Sequence, residues 1–263
     1  MEKLVSVIMP VYNCEAFVGE AIQSVVSQTY KNIELIIVDD CSTDRTADVI
    51  ARFQKINTHI KYFKLDINSG AAQSRNYAIK MATGEYLAFL DSDDIWVSSK
   101  LERQIRFMEA NHYNFTCTDY GKIDELGKQK KIVVSCLKKY DYDAILRDCP
   151  GNSTVIYDAS VLGKFYAADI RRRNDFVMWL QVIKRAKYAY GLNEVLGYHR
   201  ERENSISINK AGLIKYQWIV YRKIEKLSFF RCCFLMAYKI FHTVKLRLQI
   251  IVKESKLTAY KGL

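Results

Sequence analysis

The stretch Glu85-Tyr86-Leu87-Ala88-Phe89-Leu90-Asp91-Ser92-Asp93-Asp94 joins a mostly apolar segment to three acidic residues. An apolar run of this length predicts a buried strand. Carboxylates at its C-terminal end would project into the crevice where open α/β sheets bind ligands. Clustered acids repel one another unless a cation joins them, and Mg²⁺ and Mn²⁺ take oxygen ligands of this kind. The alternative is a helix N-terminus, where Asp is a favourable cap. This stretch alone leaves both interpretations open.

Strands and helices alternate upstream of this stretch. The apolar patterns predict strands at Leu4–Met9, Ile33–Val38 and Ile60–Leu65, and helices at Glu15–Gln28, Thr46–Ile56 and Ala71–Met81. Such an alternation predicts an α/β fold with a parallel sheet and right-handed crossovers. Downstream, the patterns predict helices at Ser98–Asn111 and Asn174–Ala186, and strands at Phe115–Tyr120, Ile132–Ser135, Ser153–Tyr157 and Leu192–His199.

Composition favours a globular protein of the cytoplasm. Hydrophobic residues make up 49% of the 263 residues, which is enough for a sizeable core. The seven cysteines include no C-x-x-C pair, so we expect neither a disulfide framework nor a zinc ribbon. The first residues lack the apolar core of a signal peptide. No uncharged apolar window reaches about 18 residues, so we expect no transmembrane helix.

The positive charge is concentrated at the C-terminal end. Residues 210–263 contain twelve Lys or Arg and two acidic residues, whereas the preceding 209 residues hold 28 basic and 27 acidic residues. This asymmetry predicts an anionic partner for the tail, either nucleic acid or a membrane surface. The tail pattern is helical from Leu213 onward. It predicts either a helical pair that packs on the body or an interfacial helix that meets anionic lipid, and one helix can do both.

Polar residues cluster where the predicted strands end. In a parallel sheet these ends share one edge, so acids and a guanidinium would meet there and suit a nucleoside diphosphate with a metal ion. Asp40 could accept a hydrogen bond from the imide N–H of a uracil. No G-x-G-x-x-G follows the first strand and no P-loop motif occurs, which makes dinucleotide oxidoreductases and P-loop NTPases poor candidates. The clusters are Pro10-Val11-Tyr12-Asn13, Asp39-Asp40, Asn68 with Gly70, Arg75 and Asn76, and Asp91 with Asp93 and Asp94.

These motifs together resemble the family 2 inverting glycosyltransferases. The resemblance covers residues 4 to 96, in order and spacing, and rests on Ser6–Asn13, Val38–Asp44, Asn68–Gly70 with Ser74–Asn76, and Asp91–Asp94. It implies the GT-A fold, a three-layer α/β/α sandwich with a mostly parallel central sheet, here with a C-terminal helical extension. One departure is Cys41, where the family usually has Gly or another small residue.

The resemblance also implies roles for individual residues. Arg75 matches a position that faces the diphosphate, Asp91 the first acid of the D-x-D motif near the ribose, and Asp93 the acid that binds Mn²⁺ or Mg²⁺. The expected nucleotide-sugar site is completed by Pro10, Val11, Tyr12, Asn13, Asp39, Asp40, Asn68, Gly70 and Ser92.

The second half of the chain would supply the proton chemistry. Asn174–Trp179 resembles the family's E-D-x-x-x-W segment, with Asn174 in place of Glu, so Asp175 falls on the position of the catalytic base. Inverting transfer needs such a base to take the proton of the acceptor hydroxyl. The alternative is that Asn174 or Asp175 caps the helix that begins there.

Other residues of this half carry open alternatives. Tyr198-His199-Arg200, with Ser205 and Ser207, resembles a loop that closes over the diphosphate, and His199 is either a further metal or phosphate contact or a structural residue. Arg171-Arg172-Arg173 is either a solvated basic turn or a contact for an anionic acceptor. Trp96 and Trp179 either line a sugar site or pack in the core.

The sequence as a whole predicts a metal-dependent inverting glycosyltransferase. It would move a hexose or N-acetylhexosamine from a UDP-sugar to a saccharide carried on polyprenyl diphosphate, in bacterial surface polysaccharide synthesis. Its expected location is the cytoplasm, peripheral at the inner face of the plasma membrane. The expected domains are a catalytic domain, 1–209, with a nucleotide half (1–96) and an acceptor half (97–209), and a basic tail, 210–263. The rival predictions are a sugar-phosphate nucleotidyltransferase and a nucleic-acid-binding protein.

Overall fold

The computed structural model describes residues 2–202 and 210–241. It divides the chain into two compact units, Met1–Ile208 and Asn209–Leu263. The predicted loop residues Ser205 and Ser207, and the tail beyond residue 241, lie outside the described residues. Each unit is described by itself below.

The first unit is built on a mixed sheet. Its path through the described residues runs β3-β2-β1-β4-β9-β6-β10-β5, with β7 beside β6 and β8 beside β10. Six of the eight strands on this path run in one direction, because only β9 and β5 are antiparallel to their neighbours. The strands are β1 Val5–Val11, β2 Ile33–Asp39, β3 Ile60–Lys64, β4 Tyr86–Phe89, β5 Ile95–Trp96, β6 Phe115–Ile123, β7 Gln129–Val134, β8 Lys139–Tyr140, β9 Ile156–Asp158 and β10 Ala189–Arg200.

Helices cover both faces of the sheet. Alternate residues of β1 and β2 are buried with α1, α2 and α4 on one face, as the period of two along a strand requires. On the other face α3 packs on β1 and β2, and Trp179 of α7 meets the rings of Phe89 and Phe115. The predicted three-layer arrangement is therefore confirmed. The helices are α1 Val18–Val26, α2 Thr46–Gln54, α3 Ala71–Met81, α4 Lys100–Asn111, α5 Tyr142–Arg147, α6 Ala159–Leu162 and α7 Asn174–Ala186.

The structure decides three local predictions, which concern the acid turn, the start of β9 and two tryptophans. The acids Asp91–Asp94 lie in a turn between β4 and β5, and no helix begins there, so the helix-cap alternative is wrong. The strand predicted at Ser153–Tyr157 starts later, because residues Asn152–Thr154 form a 3₁₀ turn whose side chains bind the acid turn. Both Trp96 and Trp179 are buried in the core.

The second unit is helical where it is described. Helix α8 spans Lys210–Ile219 and continues into a π-helical turn at Val220–Ile224. A further helix, α9, covers residues 229–241. Among the described residues, no helix has both the length and the apolar character needed to cross a membrane.

A buried lysine lies within the first unit. Lys100 of α4 has no exposed surface, and its Nζ donates a hydrogen bond to Gln104 Oε1 at 2.6 Å. The same Nζ lies 4.4 Å from the centroid of the Trp96 ring, and no acidic residue pairs with it in the described part of the chain. Burial lowers the pKa of Lys100 to about 7.

This lysine makes stability depend on pH. The unfolded chain keeps the Lys100 proton up to about pH 10.4, whereas the folded chain releases it near pH 7, so raising the pH over this window stabilises the fold. In the wild type the free energy of unfolding should increase with pH over this window, by at most about 1.4 kcal/mol per pH unit, and in Lys100→Met this increase should be absent. Urea unfolding of both proteins across the window measures the two slopes.

The matched control is Lys55→Met, which changes an exposed lysine at the end of α2. It should keep the wild-type slope. Parallel slopes for the wild type and Lys100→Met would contradict the neutral state of the buried lysine.

Candidate functional site

The carboxyl ends of β1 and β2 form the first part of the site. Asp40 is buried, and its two carboxylate oxygens accept hydrogen bonds from Ser69 N and Gly70 N, both at 2.8 Å. Asn68 Nδ2 donates to the main-chain oxygen of Asp40 at 3.1 Å. Gly70 has φ +88, a backbone conformation that favours glycine. Asp40 thus holds the loop Asn68–Gly70 against the end of β2.

Its neighbour Asp39 is directed into the protein. Asp39 is fully buried, and its carboxylate accepts hydrogen bonds from Ser42 N at 2.7 Å and from the Tyr62 hydroxyl at 2.8 Å. Pro10 and Val11 are buried in β1. The structure therefore does not bring the Asp39 side chain to the edge, although the sequence placed it in the nucleotide site. The reason is that side chains alternate between faces along a strand.

The residues that follow β1 reach solvent. Tyr12 is 48% exposed, which leaves its ring face available to a flat ligand. Asn13 has φ +42, and its Oδ1 accepts a hydrogen bond from Thr43 N at 2.9 Å. Cys41 also has a positive φ, of +64. The left-handed conformation at this position gives a physical reason for Gly, one of the small residues that the resemblance implies there.

The acid turn contributes a group of possible metal ligands. Asp91, Asp94 and His199 each have a ligand atom within 4.8 Å of the others. His199 Nε2 lies 3.0 Å from Asp94 Oδ2, but this buried nitrogen lacks the alignment of a hydrogen bond. Two carboxylates and an imidazole form a donor set that suits a divalent cation such as Mn²⁺.

Buried donors hold Asp94 in this group. Its oxygens accept hydrogen bonds from the Ser153 hydroxyl at 2.6 Å and from Arg200 N at 3.0 Å. Burial alone would lower the pKa of His199, but the Asp94 carboxylate beside it, with Asp91 and Asp93, raises that pKa to about 9. The imidazole is therefore cationic at neutral pH unless a metal ion takes the place of its proton.

Asp93, the acid that the resemblance assigns to the metal, points elsewhere. Its Oδ2 lies 2.7 Å from Arg202 Nη2, and the Arg202 guanidinium lies over the ring of Phe17. Burial and then the neighbouring Asp94 carboxylate raise the pKa of Asp93 to about 6. Asp93 therefore lies beside the group of possible ligands rather than within it. Ser92, between the two acids, is partly buried in the turn.

Arg75 joins the acid turn to the start of α7. This side chain is buried, and its Nη1 donates a hydrogen bond to Asn174 Oδ1 at 2.6 Å. Its Nη2 lies 3.3 Å from Asp91 Oδ1, and its Nε is buried without a hydrogen-bond partner. Asn152 Nδ2 also donates to Asp91 Oδ1, at 2.8 Å. A buried guanidinium with an unmet donor is suited to an anionic ligand.

Asp175 lies one residue beyond that contact. It is partly buried and accepts no hydrogen bond from another described residue. No side chain caps α7, whose N-cap is Arg173, and the Asn174 side chain binds Arg75 instead. The structure therefore does not support the helix-cap interpretation of this pair. A carboxylate without hydrogen-bond donors has its lone pairs available to a ligand hydroxyl.

The structure thus brings together residues far apart in the chain, and some of them were not anticipated from the sequence. Tyr12, Asp40, Arg75, the acid turn and His199 gather at the carboxyl edge, joined through Arg75 to the start of α7. The residues that sequence reasoning did not assign to the site are Asn152, Ser153, Asn174 and Arg202, which bind Asp91, Asp94, Arg75 and Asp93. Sequence reasoning connected Gly151-Asn152 with donor choice near Asp91 without placing their side chains, and the turn residues Pro150-Gly151 are the sequence signal for this segment.

Comparison with known proteins identifies relatives over most of the chain. A model of the family "Glycosyl transferase family 2" matches residues 6–171. TuaG of Bacillus subtilis (strain 168), a putative teichuronic acid biosynthesis glycosyltransferase, is 40% identical over 248 residues, 93% of this chain and 98% of its own. WfgD of Escherichia coli, a UDP-Glc:alpha-D-GlcNAc-diphosphoundecaprenol beta-1,3-glucosyltransferase, is 35% identical over 237 residues, 89% of this chain and 92% of its own. Asp175 and His199 lie beyond the family match.

Solved structures share the architecture. S. aureus TarS in complex with UDP-GlcNAc aligns with a TM-score of 0.69 and 20% identity, over 91% of this chain and 72% of that chain. The mannosyltransferase PcManGT from Pyrobaculum calidifontis, in complex with GDP-Man and Mn²⁺, aligns with a TM-score of 0.66 and 16% identity, over 87% and 66%. The likeness to TarS confirms the predicted GT-A fold.

The metal-ligand group leads to a test on His199. If its imidazole is a ligand, His199→Gln should weaken binding of a divalent cation by at least about tenfold, because one donor of the set is lost. Calorimetric titration of Mn²⁺ into the protein with UDP present measures the affinity. The control is His59→Gln, an exposed histidine before β3, which should bind Mn²⁺ as the wild type does. Equal affinities for all three proteins would exclude His199 from the metal site.

Proposed function

Because the chain belongs to glycosyltransferase family 2, we propose that it transfers a hexose or N-acetylhexosamine from a UDP-sugar to a lipid-linked saccharide. The reaction inverts the anomeric centre in a single displacement. The product would belong to a bacterial cell-surface polysaccharide. The observation that carries the proposal is the bridge from Asp91 through Arg75 to Asn174, since it joins an acid-rich nucleotide edge to a carboxylate suited to proton abstraction.

The donor would lie along the carboxyl edge of β1, β2 and β4. The uracil ring would lie against Tyr12, beside the loop that Asp40 holds. The Asp40 carboxylate could accept a hydrogen bond from the imide N–H of the uracil. Arg75 would meet the diphosphate through its unpartnered Nε, and Asp91 the ribose. WfgD is named for a UDP-Glc donor, and TarS was solved with UDP-GlcNAc, which supports a uridine donor.

A divalent cation, Mn²⁺ or Mg²⁺, would be held by Asp91, Asp94 and His199, with Asp93 as the adjacent carboxylate. When bound, it would neutralise charge on the departing diphosphate. The buried His199 nitrogen without an aligned partner supports this fit. Arg75 and Arg202 would supply the protein's own positive charge on either side of the acid turn.

Asp175 would act as the general base. Attack on the anomeric carbon requires removal of the proton from the acceptor hydroxyl as the new bond forms. Asp175 sits at the start of α7, where its neighbour Asn174 is fixed to Arg75. The base would therefore be held at a constant distance from the donor diphosphate, which is the geometric requirement for in-line displacement.

The acceptor would be presented at an anionic membrane surface. WfgD is named for an acceptor on diphosphoundecaprenol. In the second unit, α9 exposes Phe230 (84%), Phe234 (62%) and Phe241 (71%). Their i, i+4, i+11 spacing aligns them on one helix face, and Arg231 lies beside that face. Exposed aromatic residues flanked by cations are typical of helices that lie in the membrane interface.

The base assignment is tested by Asp175→Asn. We expect the rate of sugar transfer to fall by about 10²- to 10⁴-fold, the usual contribution of a general base, while UDP affinity stays within about twofold. The substrate is the sugar nucleotide selected in a screen of UDP-, GDP- and dTDP-sugars with Mn²⁺. Asp169→Asn, an exposed acid of the preceding segment, serves as the control. Loss of UDP binding in parallel with turnover would show that Asp175 is not the general base. If no UDP-sugar is a substrate in the screen, the assignment of a UDP-sugar donor is overturned.

The membrane surface is tested by the triple variant Phe230→Ser, Phe234→Ser and Phe241→Ser in the full chain. We expect it to lose sedimentation with anionic vesicles, because the three most exposed apolar side chains of α9 are gone. The control variant Ile56→Ser with Leu126→Ser removes two highly exposed apolar residues of the first unit and should sediment as the wild type does. Wild-type sedimentation of the triple variant would contradict membrane docking by α9.

A further inference from the structure

A turn of three arginines precedes the helix that carries Asp175. Arg171 is exposed, and Arg172 and Arg173 are partly buried. Arg173 has φ +64, a left-handed conformation that is uncommon for any residue other than glycine. The turn therefore has a defined conformation at its last residue, directly before α7.

The Arg173 side chain has an unmet donor. Its Nε is buried and has no hydrogen-bond partner, and within residues 2–202 and 210–241 no carboxylate forms an ion pair with its guanidinium. A buried donor without a partner costs roughly 1–3 kcal/mol, and more when the group is charged. This arginine is therefore not a merely solvated surface residue, and an anion would satisfy it.

Other contacts hold the turn in place. Asn76 binds Ala167 twice, through Nδ2 to the Ala167 oxygen at 2.9 Å and through Oδ1 from the Ala167 nitrogen at 2.7 Å. Asn174 Nδ2 donates to the Ile170 oxygen at 3.4 Å, and Asn174 Oδ1 accepts from Arg75. Because these bonds fix both ends of the turn, the Arg173 guanidinium is not required to shape it.

The position of the turn matters for the acceptor. Arg173 lies two residues before Asp175, and Asn174 between them is tied through Arg75 to Asp91. In an acceptor such as the one named for WfgD, one sugar ring separates the diphosphate from the hydroxyl that Asp175 would deprotonate, so the diphosphate would lie near Asp175. Carboxylates repel such a group at short range unless cations stand between them.

We propose that Arg173 binds the diphosphate that links the acceptor saccharide to its lipid. The planar guanidinium of arginine matches two phosphate oxygens at once, which a single ammonium does not. The assignment rests on the proposed function and deepens it, since it names the acceptor group that this part of the site recognises. It also separates two anion sites: Arg75 serves the donor diphosphate and Arg173 the acceptor diphosphate.

A binding experiment on the full chain tests the assignment. Farnesyl diphosphate is titrated calorimetrically into protein saturated with UDP and Mn²⁺, so that the donor site is already filled. The wild type should bind the probe, and Arg173→Gln should bind it at least about tenfold more weakly, as expected for loss of a hydrogen bond between charged groups. Arg173→Lys should lie between the two, because it keeps the charge and loses the paired donors.

The controls separate the sources of the effect. UDP affinity of each variant reports whether the donor site is intact, and Arg52→Gln, an exposed arginine of α2, should bind the probe as the wild type does. Equal binding of farnesyl monophosphate would indicate a phospholipid headgroup and overturn the diphosphate assignment. Wild-type affinity of Arg173→Gln for farnesyl diphosphate would also overturn the assignment. A wild type that binds UDP but not the probe overturns this assignment alone, whereas one that binds no nucleoside diphosphate overturns the proposed function as well.

Discussion

The contact of Arg75 with Asp91 and Asn174 is the constraint on which the site depends. It crosses from α3 to the acid turn after β4 and to the first residue of α7. The ring of Trp179 also packs α7 on Phe89 of β4 and Phe115 of β6. The Arg75 contact adds hydrogen bonds that link the acid turn directly to the first residue of α7. The buried guanidinium does not give up these partners without cost, since a buried donor left without a hydrogen bond costs roughly 1–3 kcal/mol. The bridge therefore keeps the two halves in register.

The same edge carries an excess of negative charge that the fold balances locally. Asp91 is bound by Arg75 and Asn152, Asp93 by Arg202, and Asp94 by Ser153, Arg200 N and His199. The balance is incomplete, as the raised pKa of Asp93, about 6, demonstrates. Desolvation and the neighbouring acids disfavour its ionised form, so additional positive charge would stabilise the turn. A ligand that brings a cation is the natural complement of such a site.

Much of the fold follows from local pattern, and the parts that do not are decided by tertiary contacts. The alternation of strands and helices up to β4 predicts the parallel half of the sheet, because hydrophobic runs and helical spacing there agree with the final packing. Ser153 was predicted to lie in a strand, but its hydroxyl binds Asp94 and the strand begins afterwards. The directions of Asp93 and Asp94 could not be predicted either, since adjacent side chains of a turn point apart and distant residues, Ser153 and Arg200, enclose Asp94. For the same reason Asp39 and Asp40 differ: Asp39 binds Tyr62 in the interior, and Asp40 binds the loop at the edge.

Family membership supports the enzyme class over the nucleotidyltransferase and nucleic-acid alternatives.

The role of Arg75 as the link between donor and base can be measured through Asn174, which holds it without being a base itself. Asn174→Ala removes the acceptor of the 2.6 Å hydrogen bond and leaves the Asp91 contact in place. The decisive quantity is kcat for sugar transfer compared with the affinity for UDP. If the bridge sets the position of Asp175, kcat should fall by about 10- to 100-fold, as for a displacement of about 1 Å, and by more than the UDP affinity does. A kcat close to that of the wild type would contradict the account.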